Sequence, residues 1–517
     1  MALTFITPTV KSDLVTQSLS AIAGLDTWVT NHKTLSTGVL PYNGRTIMNQ
    51  NGVAMASYNP LVGYGGNSEW GPYAATSETQ ILMTRGWAYA HYITKKAGSE
   101  KGLANLTLLA HSLVKNFFIN NSPGEYPATA TGGGIHWLVN GGAAITTPSG
   151  TIAANEKMEI DYDLTRTTPG SRRRKLRVIG GNKEWSMAGD TMYWASSAFR
   201  SMCMASDYQP DRRIRHIDYG KWDTWRVNTT NMLGMSGCPT KMAAFEYSTK
   251  SLLNGWADPN QVLAVPTWKG PYYTGYQSGH GAYFGTTNAV TNFMASAQEA
   301  YTAKLSAAGK GTIIGPFAPV MSYDGVYMVD PANNTNNWVW DGTKCPDQNI
   351  KWGAFQYRAF AAMAEVSCNL GQATLTSTYP VLLNFLRWLK GVIDADTTSR
   401  LVSTKIPNVF PPDAKPYIHY GEAHDVALAL QGALFSYRFA LDRRSSINGI
   451  DEMFSLSAWL IENLTRKLLN DVVTDSANEM YGCITHWKEG FFANGYHLGE
   501  IMYALAGVAN LANVRNS

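Results

Sequence analysis

The stretch SETQILMTRGWAYAHYITKKAGSEKGLANLTLLAHSLVKNFF, Ser77–Phe118, decides the fold. Apolar residues recur at three- and four-residue spacing on both sides of an Ala-Gly-Ser break, which is the period of an amphipathic helix. The spacing predicts helices over Ser77–Lys96 and Lys101–Phe118, paired as an antiparallel hairpin, with Thr76 or Ser77 as the N-cap of the first.

Outward from this hairpin the same period recurs. It predicts one helix before it, Ser12–Thr30, and nine after it: Met187–Ser206, Trp222–Met235, Lys241–Asn254, Asn288–Ala308, Asn349–Leu370, Thr378–Asp394, Glu422–Leu441, Ile450–Leu469 and Phe492–Ala512. Between Pro123 and Lys183 the pattern changes to period two. GGIHWLVNGGAAITTPSG, KMEIDYDLT and RRRKLRVIGG read as strands separated by Gly, Pro and Ser turns. The expected organisation is N-terminal helices with a long loop over 1–122, a β-rich insertion over 123–184, and the remaining helices over 185–517. A dozen helices in consecutive hairpins can close as a toroid, stack as a solenoid or pack as an irregular bundle. A solenoid requires a repeated sequence period, and none is visible. The fold expected is therefore mainly α, an α/α toroid with a small inserted antiparallel β subdomain, whose hairpin loops gather around one mouth.

Composition limits what such a fold can do. Only 15% of the residues are charged, against roughly 25% in an average globular domain, while 12% are aromatic, so the chain is ordered. A net charge of +4 disfavours nucleic acid as a partner. The basic cluster Arg172, Arg173, Arg174, Lys175 and Arg177 reads as a solvated turn or strand end. No apolar run approaches the roughly 20 residues of a membrane span, and the first residues lack the basic-then-apolar pattern of a signal peptide. The expectation is synthesis in a cytoplasm without membrane insertion. Five scattered cysteines give no disulfide framework and no zinc spacing, so neither metal nor cofactor is expected.

Two long segments, WADPNQVLAVPTWKGPYYTGYQSGHGAYFGTTN (256–288) and PFAPVMSYDGVYMVDPANNTNNWVWDGTKCPDQN (316–349), read as functional loops. Sugars offer apolar C–H faces and rings of hydroxyls, so a glycan groove joins flat aromatic platforms to polar hydrogen-bonders. Trp268, Tyr272, Tyr273, Tyr276, His280, Tyr323, Tyr327, Trp338 and Trp340 fit that pattern. The same residues could equally staple the loops to the toroid rim.

Glycoside hydrolysis needs a pair of carboxyl groups. In WSMAGDTMYWASSAFRSM, Asp190 stands at a helix start, where the helix field keeps a carboxylate ionised and fit to act as a base. In KPYIHYGEAHDVALALQGALFSYRFA, Glu422, His424 and Asp425 crowd the first turn of an apolar helix, a setting that raises one carboxyl pKa toward that of a general acid. His424 is also a candidate for substrate binding. Each acid has a plain alternative role in capping its helix. Asp324, in an Asp-Gly turn of the second aromatic segment, competes for the same chemistry. Dinucleotide, P-loop, HExxH and nucleophile-elbow motifs are not found.

WSMAGD at Trp185–Asp190 resembles the Trp-Tyr-Asp-Ala-Gly-Asp motif of glycoside hydrolase family nine, and HDVALALQGAL at His424–Leu434 is similar to that family's late Asn-Glu-Val-Ala-Ile segment. The resemblance implies a six-hairpin toroid with Asp190 as base and Asp425 as general acid. The sequence departs from the family at Met187, where the motif has its first aspartate, and at Asp425, where it has glutamate. The function expected is hydrolysis of a polysaccharide or cell-surface glycan, carried on a phage particle among virion proteins or released on lysis. The rival expectations are a non-catalytic virion component and a polysaccharide lyase.

Overall fold

The structure, a computed structural model, describes residues 8–34, 47–54, 57–58, 74–96, 103, 105–119, 134–136, 138–147, 150–162, 173–178, 189–206, 272–273, 287–318, 320–323, 338–339, 353–370, 375–395, 405–410, 417–420, 422–443, 447–484 and 493–512. The helices expected at Trp222–Met235 and Lys241–Asn254 lie outside these residues.

Ten α-helices are found among the described residues. They are α1 Pro8–Asn31, α2 Ser77–Lys96, α3 Leu106–Ser112, α4 Gly189–Ser206, α5 Thr287–Ala307, α6 Ala354–Leu370, α7 Leu375–Ala395, α8 Ala423–Asp442, α9 Ile450–Asn470 and α10 Gly495–Ala509. Their burial separates two layers. In α8, 17 of 20 residues are buried, and in α10, 13 of 15, so both are enclosed on every side. By contrast α9 buries 12 of 21, along one stripe.

The inner helices pack in the order α4, α2, α10, α8, α6. Around them α1 lies on α10, α9 lies on α8, and α7 touches α5, α6 and α9. The contact between α10 and α2 joins the last of the described α-helices to the first hairpin, which is how a sequence of hairpins closes into a toroid. The fold is thus mainly α, a helical toroid bearing a small antiparallel sheet.

Two glycines permit that closure. A Cβ on Gly86 would lie 2.2 Å from the carbonyl oxygen of Gly499, and one on Gly499 would lie 2.4 Å from the carbonyl of Leu82. Because the obstacle is backbone, one helix would have to move. Gly499→Ala is expected to lower the unfolding free energy by about 1–3 kcal/mol. Gly391→Ala, in α7 with nothing within 4 Å, is expected to raise it by about 0.5–1 kcal/mol. Urea unfolding of the two variants checks the contrast.

The sheet has four antiparallel strands in the order Arg173–Val178, Lys157–Tyr162, Leu138–Asn140, Ala74–Thr76. Its last strand runs directly into α2, so the sheet is tied to the helical ring at Thr76. Four members of the basic cluster form part of a strand, where Arg177 is registered opposite Glu159 and Lys175 opposite Asp161.

Three expectations need correction. The helix predicted to reach Phe118 ends at Ser112, continues as a π turn over Leu113–Phe117, and becomes a strand at Phe118–Ile119. Pairing of Phe118 with Ile135 pulls the backbone straight there. The two aromatic segments are not wholly loops either: Tyr272–Tyr273, Val320–Tyr323 and Trp338–Val339 form a three-stranded antiparallel sheet that joins them. Aromatic and β-branched residues fit a pleated surface, which outweighed the Gly and Asn content that suggested loop. A hairpin of Lys405–Val409 and Tyr417–Tyr420 was also unforeseen.

Candidate functional site

Inside the ring the apolar helices carry isolated charges, and these meet one another. From α2, Arg85 bonds Glu365 of α6 at 2.8 Å, Glu500 of α10 at 2.7 Å and Ser197 of α4 at 2.7 Å. The Ser197 hydroxyl donates to the other oxygen of Glu365 at 2.7 Å, and Gln431 of α8 donates to Glu500 at 2.9 Å. All five side chains are buried. Burial opposes the charge on Arg85, but Glu500 and Glu365 more than restore it, so its pKa moves above the usual guanidinium value. A single layer of bonds therefore ties α2, α4, α6, α8 and α10 together.

Toward the N-terminal ends of the inner helices, a second cluster sits on this layer. Arg358 of α6 lies 3.6 Å from Glu500 and 3.2 Å from Nε2 of His424. Its guanidinium stacks over the rings of Trp194 at 4.4 Å and Tyr496 at 4.5 Å, a cation–π arrangement on two sides. The His424 ring stacks on His497 at 4.1 Å with 13° between planes.

Next to His424 is Asp425, whose side chain is 0% exposed. Neither of its carboxyl oxygens has a hydrogen-bond partner among the described residues. Its Oδ2 lies against the backbone of Gly353, where a Cβ would approach it to 2.7 Å, and beside Asn408 of the 405–409 hairpin. That hairpin is fixed to α6 by bonds from Gly353 N–H to the Asn408 carbonyl at 2.8 Å and from the Tyr357 hydroxyl to the Pro407 carbonyl at 2.5 Å.

A carboxyl group in the first turn of a helix is ordinarily favoured in its ionised form. Here burial pushes the pKa of Asp425 well above the usual carboxylate range, and the neighbouring Glu422 adds to the rise; Arg358 only partly opposes them. Glu422 occupies the N-cap position of α8 but makes no side-chain cap bond. The cluster thus holds, next to His424, a carboxyl group that burial pushes toward its neutral form, the form that donates a proton.

The structure brings together Glu422, His424 and Asp425 among the residues singled out from sequence. Asp190 is the second residue of α4, one helical turn before Trp194. Tyr272, Tyr273, Tyr323 and Trp338 fall on the three-stranded sheet. Trp268, Tyr276, His280, Asp324, Tyr327 and Trp340 lie outside the described residues. Sequence reasoning missed Arg85, Glu365, Glu500 and Arg358. A usable signal was present, since a lone charge inside an apolar helix such as ILMTRGWAYA must find a partner when buried.

No protein-family profile matches the chain, and no curated protein matches it. Among solved structures it is similar to the apo form of a β-1,3-1,4-glucanase from Paenibacillus sp. X4, at 10% identity and a TM-score of 0.41, over 90% of this chain and 95% of that one. A GH8 xylobiose complex from Teredinibacter turnerae matches at 8% identity and a TM-score of 0.34, over 76% of this chain and 81% of that one. A GH8 catalytic-mutant xylanase bound to xylohexaose, from the same organism, matches at 9% identity and a TM-score of 0.33 over the same shares.

Proposed function

We propose that this protein hydrolyses a polysaccharide, with Asp425 as the general acid that protonates the departing glycosidic oxygen and Asp190 as the base that activates water. The observation that carries this reading is the state of Asp425: fully buried, without a hydrogen-bond partner among the described residues, and pushed toward its neutral form by that burial and by the neighbouring Glu422. A neutral carboxyl near neutral pH is what protonation of a leaving group requires. The residues of the joined aromatic segments would supply the sugar-binding face.

The base role of Asp190 follows from its place in the first turn of α4, where the helix field favours a carboxylate. The glycan would be a cell-surface polysaccharide, reached by carriage on a phage particle or by release on lysis.

Complete burial of Asp425 favours one second reading, a non-catalytic virion component that binds glycan on the same scaffold, because a proton donor must reach its substrate. One screen separates the readings. Purified protein is incubated with capsular, lipopolysaccharide and peptidoglycan preparations while reducing ends and ultraviolet absorbance are followed. New reducing ends without absorbance are expected. Both signals together would indicate a lyase, and glycan binding without either would support the second reading.

A further inference from the structure

His424 lies between a fixed cation and the proposed acid, and its surroundings determine where its own proton is. Nε2 of His424 is 3.2 Å from a terminal nitrogen of Arg358. A guanidinium has five N–H donors and no acceptor, and it does not lose its proton in proteins. Nε2 must therefore be the accepting nitrogen, so the ring is neutral and carries its hydrogen on Nδ1.

The remaining charges keep Arg358 in place. Glu500 stands behind it at 3.6 Å and is itself bonded to Arg85. Trp194 and Tyr496 cover its faces, and the His497 ring holds the plane of His424 by stacking. A second positive charge on His424 would face Arg358 directly, in a fully buried position. With Nε2 committed to Arg358, Nδ1 is the nitrogen on the side of Asp425, 4.0 Å from its Oδ1. That separation exceeds a hydrogen bond by about 1 Å.

We propose that His424 is a positioning residue whose Nδ1–H donates to Asp425 as that carboxyl gives up its proton, fixing which oxygen carries the acid hydrogen. The inference rests on the hydrolytic reading for its chemistry, though not for the state of the ring. In the step, the O–H bond of Asp425 breaks, its electron pair stays on the carboxyl, and the proton goes to the departing glycosidic oxygen. The negative charge left behind is met by the Nδ1–H of His424, with closure of the 4.0 Å gap to hydrogen-bond length. Oδ1 is the oxygen on the histidine side, which leaves Oδ2, on the Gly353 and Asn408 side, to hold the transferable proton. His424 gains and loses no proton.

The test has one arm that needs no substrate. Full-length protein labelled with ¹⁵N-histidine is examined by long-range ¹H–¹⁵N correlation from pH 5 to 8, with the His424 signal identified by its loss in His424→Gln. The expected spectrum is that of a neutral Nδ1–H ring at every pH. An Nε2–H ring, or an imidazolium within the range, would overturn the proposal.

The second arm compares His424→Gln with His424→Leu. Gln keeps an oxygen for Arg358 and an N–H for Asp425; Leu keeps neither. The Asp425 carboxyl, followed by ¹³C shift, is expected to titrate at least about one pH unit higher in the Leu variant than in the Gln variant, since loss of a donor to the ionised form raises a carboxyl pKa. On an active substrate, kcat is expected to be about tenfold lower for Leu than for Gln, with KM alike. Equal titration in the two variants would sink the positioning role. Silence on every glycan, with the ring state and titrations as expected, would instead remove the hydrolytic reading alone.

Discussion

Asp425→Asn is expected to lower kcat on the responsive glycan by about 10²–10⁴-fold, the usual contribution of a positioned general acid, with little change in KM. It is also expected to make the protein more stable at neutral and alkaline pH. Burial raises the folded-state pKa of Asp425 well above its unfolded value, with Glu422 adding to the rise. Between those two values the folded chain therefore binds a proton that the unfolded chain has lost. Stability then falls as pH rises, by up to about 1.4 kcal/mol per pH unit for one such group.

The contribution is fully present below the ordinary carboxylate pKa and is gone above the raised one. Asn is nearly isosteric and never ionises, so its unfolding midpoint should lose that slope. Thermal unfolding of both proteins from pH 4 to 9 measures the difference. Parallel curves would mean that Asp425 is ionised in the native protein, and the general-acid assignment would fail with it.

The second large effect is expected at Arg85. Arg85→Leu removes the cation to which both Glu365 and Glu500 are bonded and leaves two carboxylates inside the ring. Breaking a buried pair by deleting one partner costs about 3–5 kcal/mol, because Glu365 loses its cation away from water and Glu500 is left with Arg358 alone at 3.6 Å. The comparison is Arg387→Ala, which breaks a bidentate pair with Glu452 at 2.6 Å in each arm. That pair is about half exposed on both sides, so its loss is expected to change stability by less than about 1 kcal/mol. Shorter contacts at the surface should thus matter less than longer ones in the core. Denaturant midpoints would show the reverse order if packing of the aliphatic chains, rather than desolvation, sets the cost.

How much of this was legible depends on the range over which each signal acts. Helix α2 occupies Ser77–Lys96, the bounds that its apolar period and N-cap predict. The strands between Gly134 and Val178 follow an alternation that is equally local. Asp425 and Glu422 could be singled out because crowded acids at the head of an apolar helix stand out within a few residues.

The charged layer could not be read in the same way. Arg85 finds Glu365 across 280 positions and Glu500 across 415, and nothing near any one of them in the chain names its partner. The strands that join the aromatic segments were hidden for the same reason, since Tyr273 pairs with Val320 only after the intervening helix α5 has been placed.

The sequence by itself determined most of the described helices, the position of the small sheet, and which acids stood at helix heads, because periodicity, capping and turn chemistry are settled between neighbours. It also suggested an ionised state for Asp190 at its helix start and a raised pKa for one of the crowded acids Glu422 and Asp425. Only the tertiary structure decided that Asp425 is the acid so raised, and that burial is the main cause. Its pKa is raised chiefly by the water excluded when α6, α8 and the 405–409 hairpin close around it, with Glu422 at the head of the same helix adding to the rise and Arg358 of α6 opposing it. Desolvation is a property of the assembled core, and no stretch of chain carries it alone.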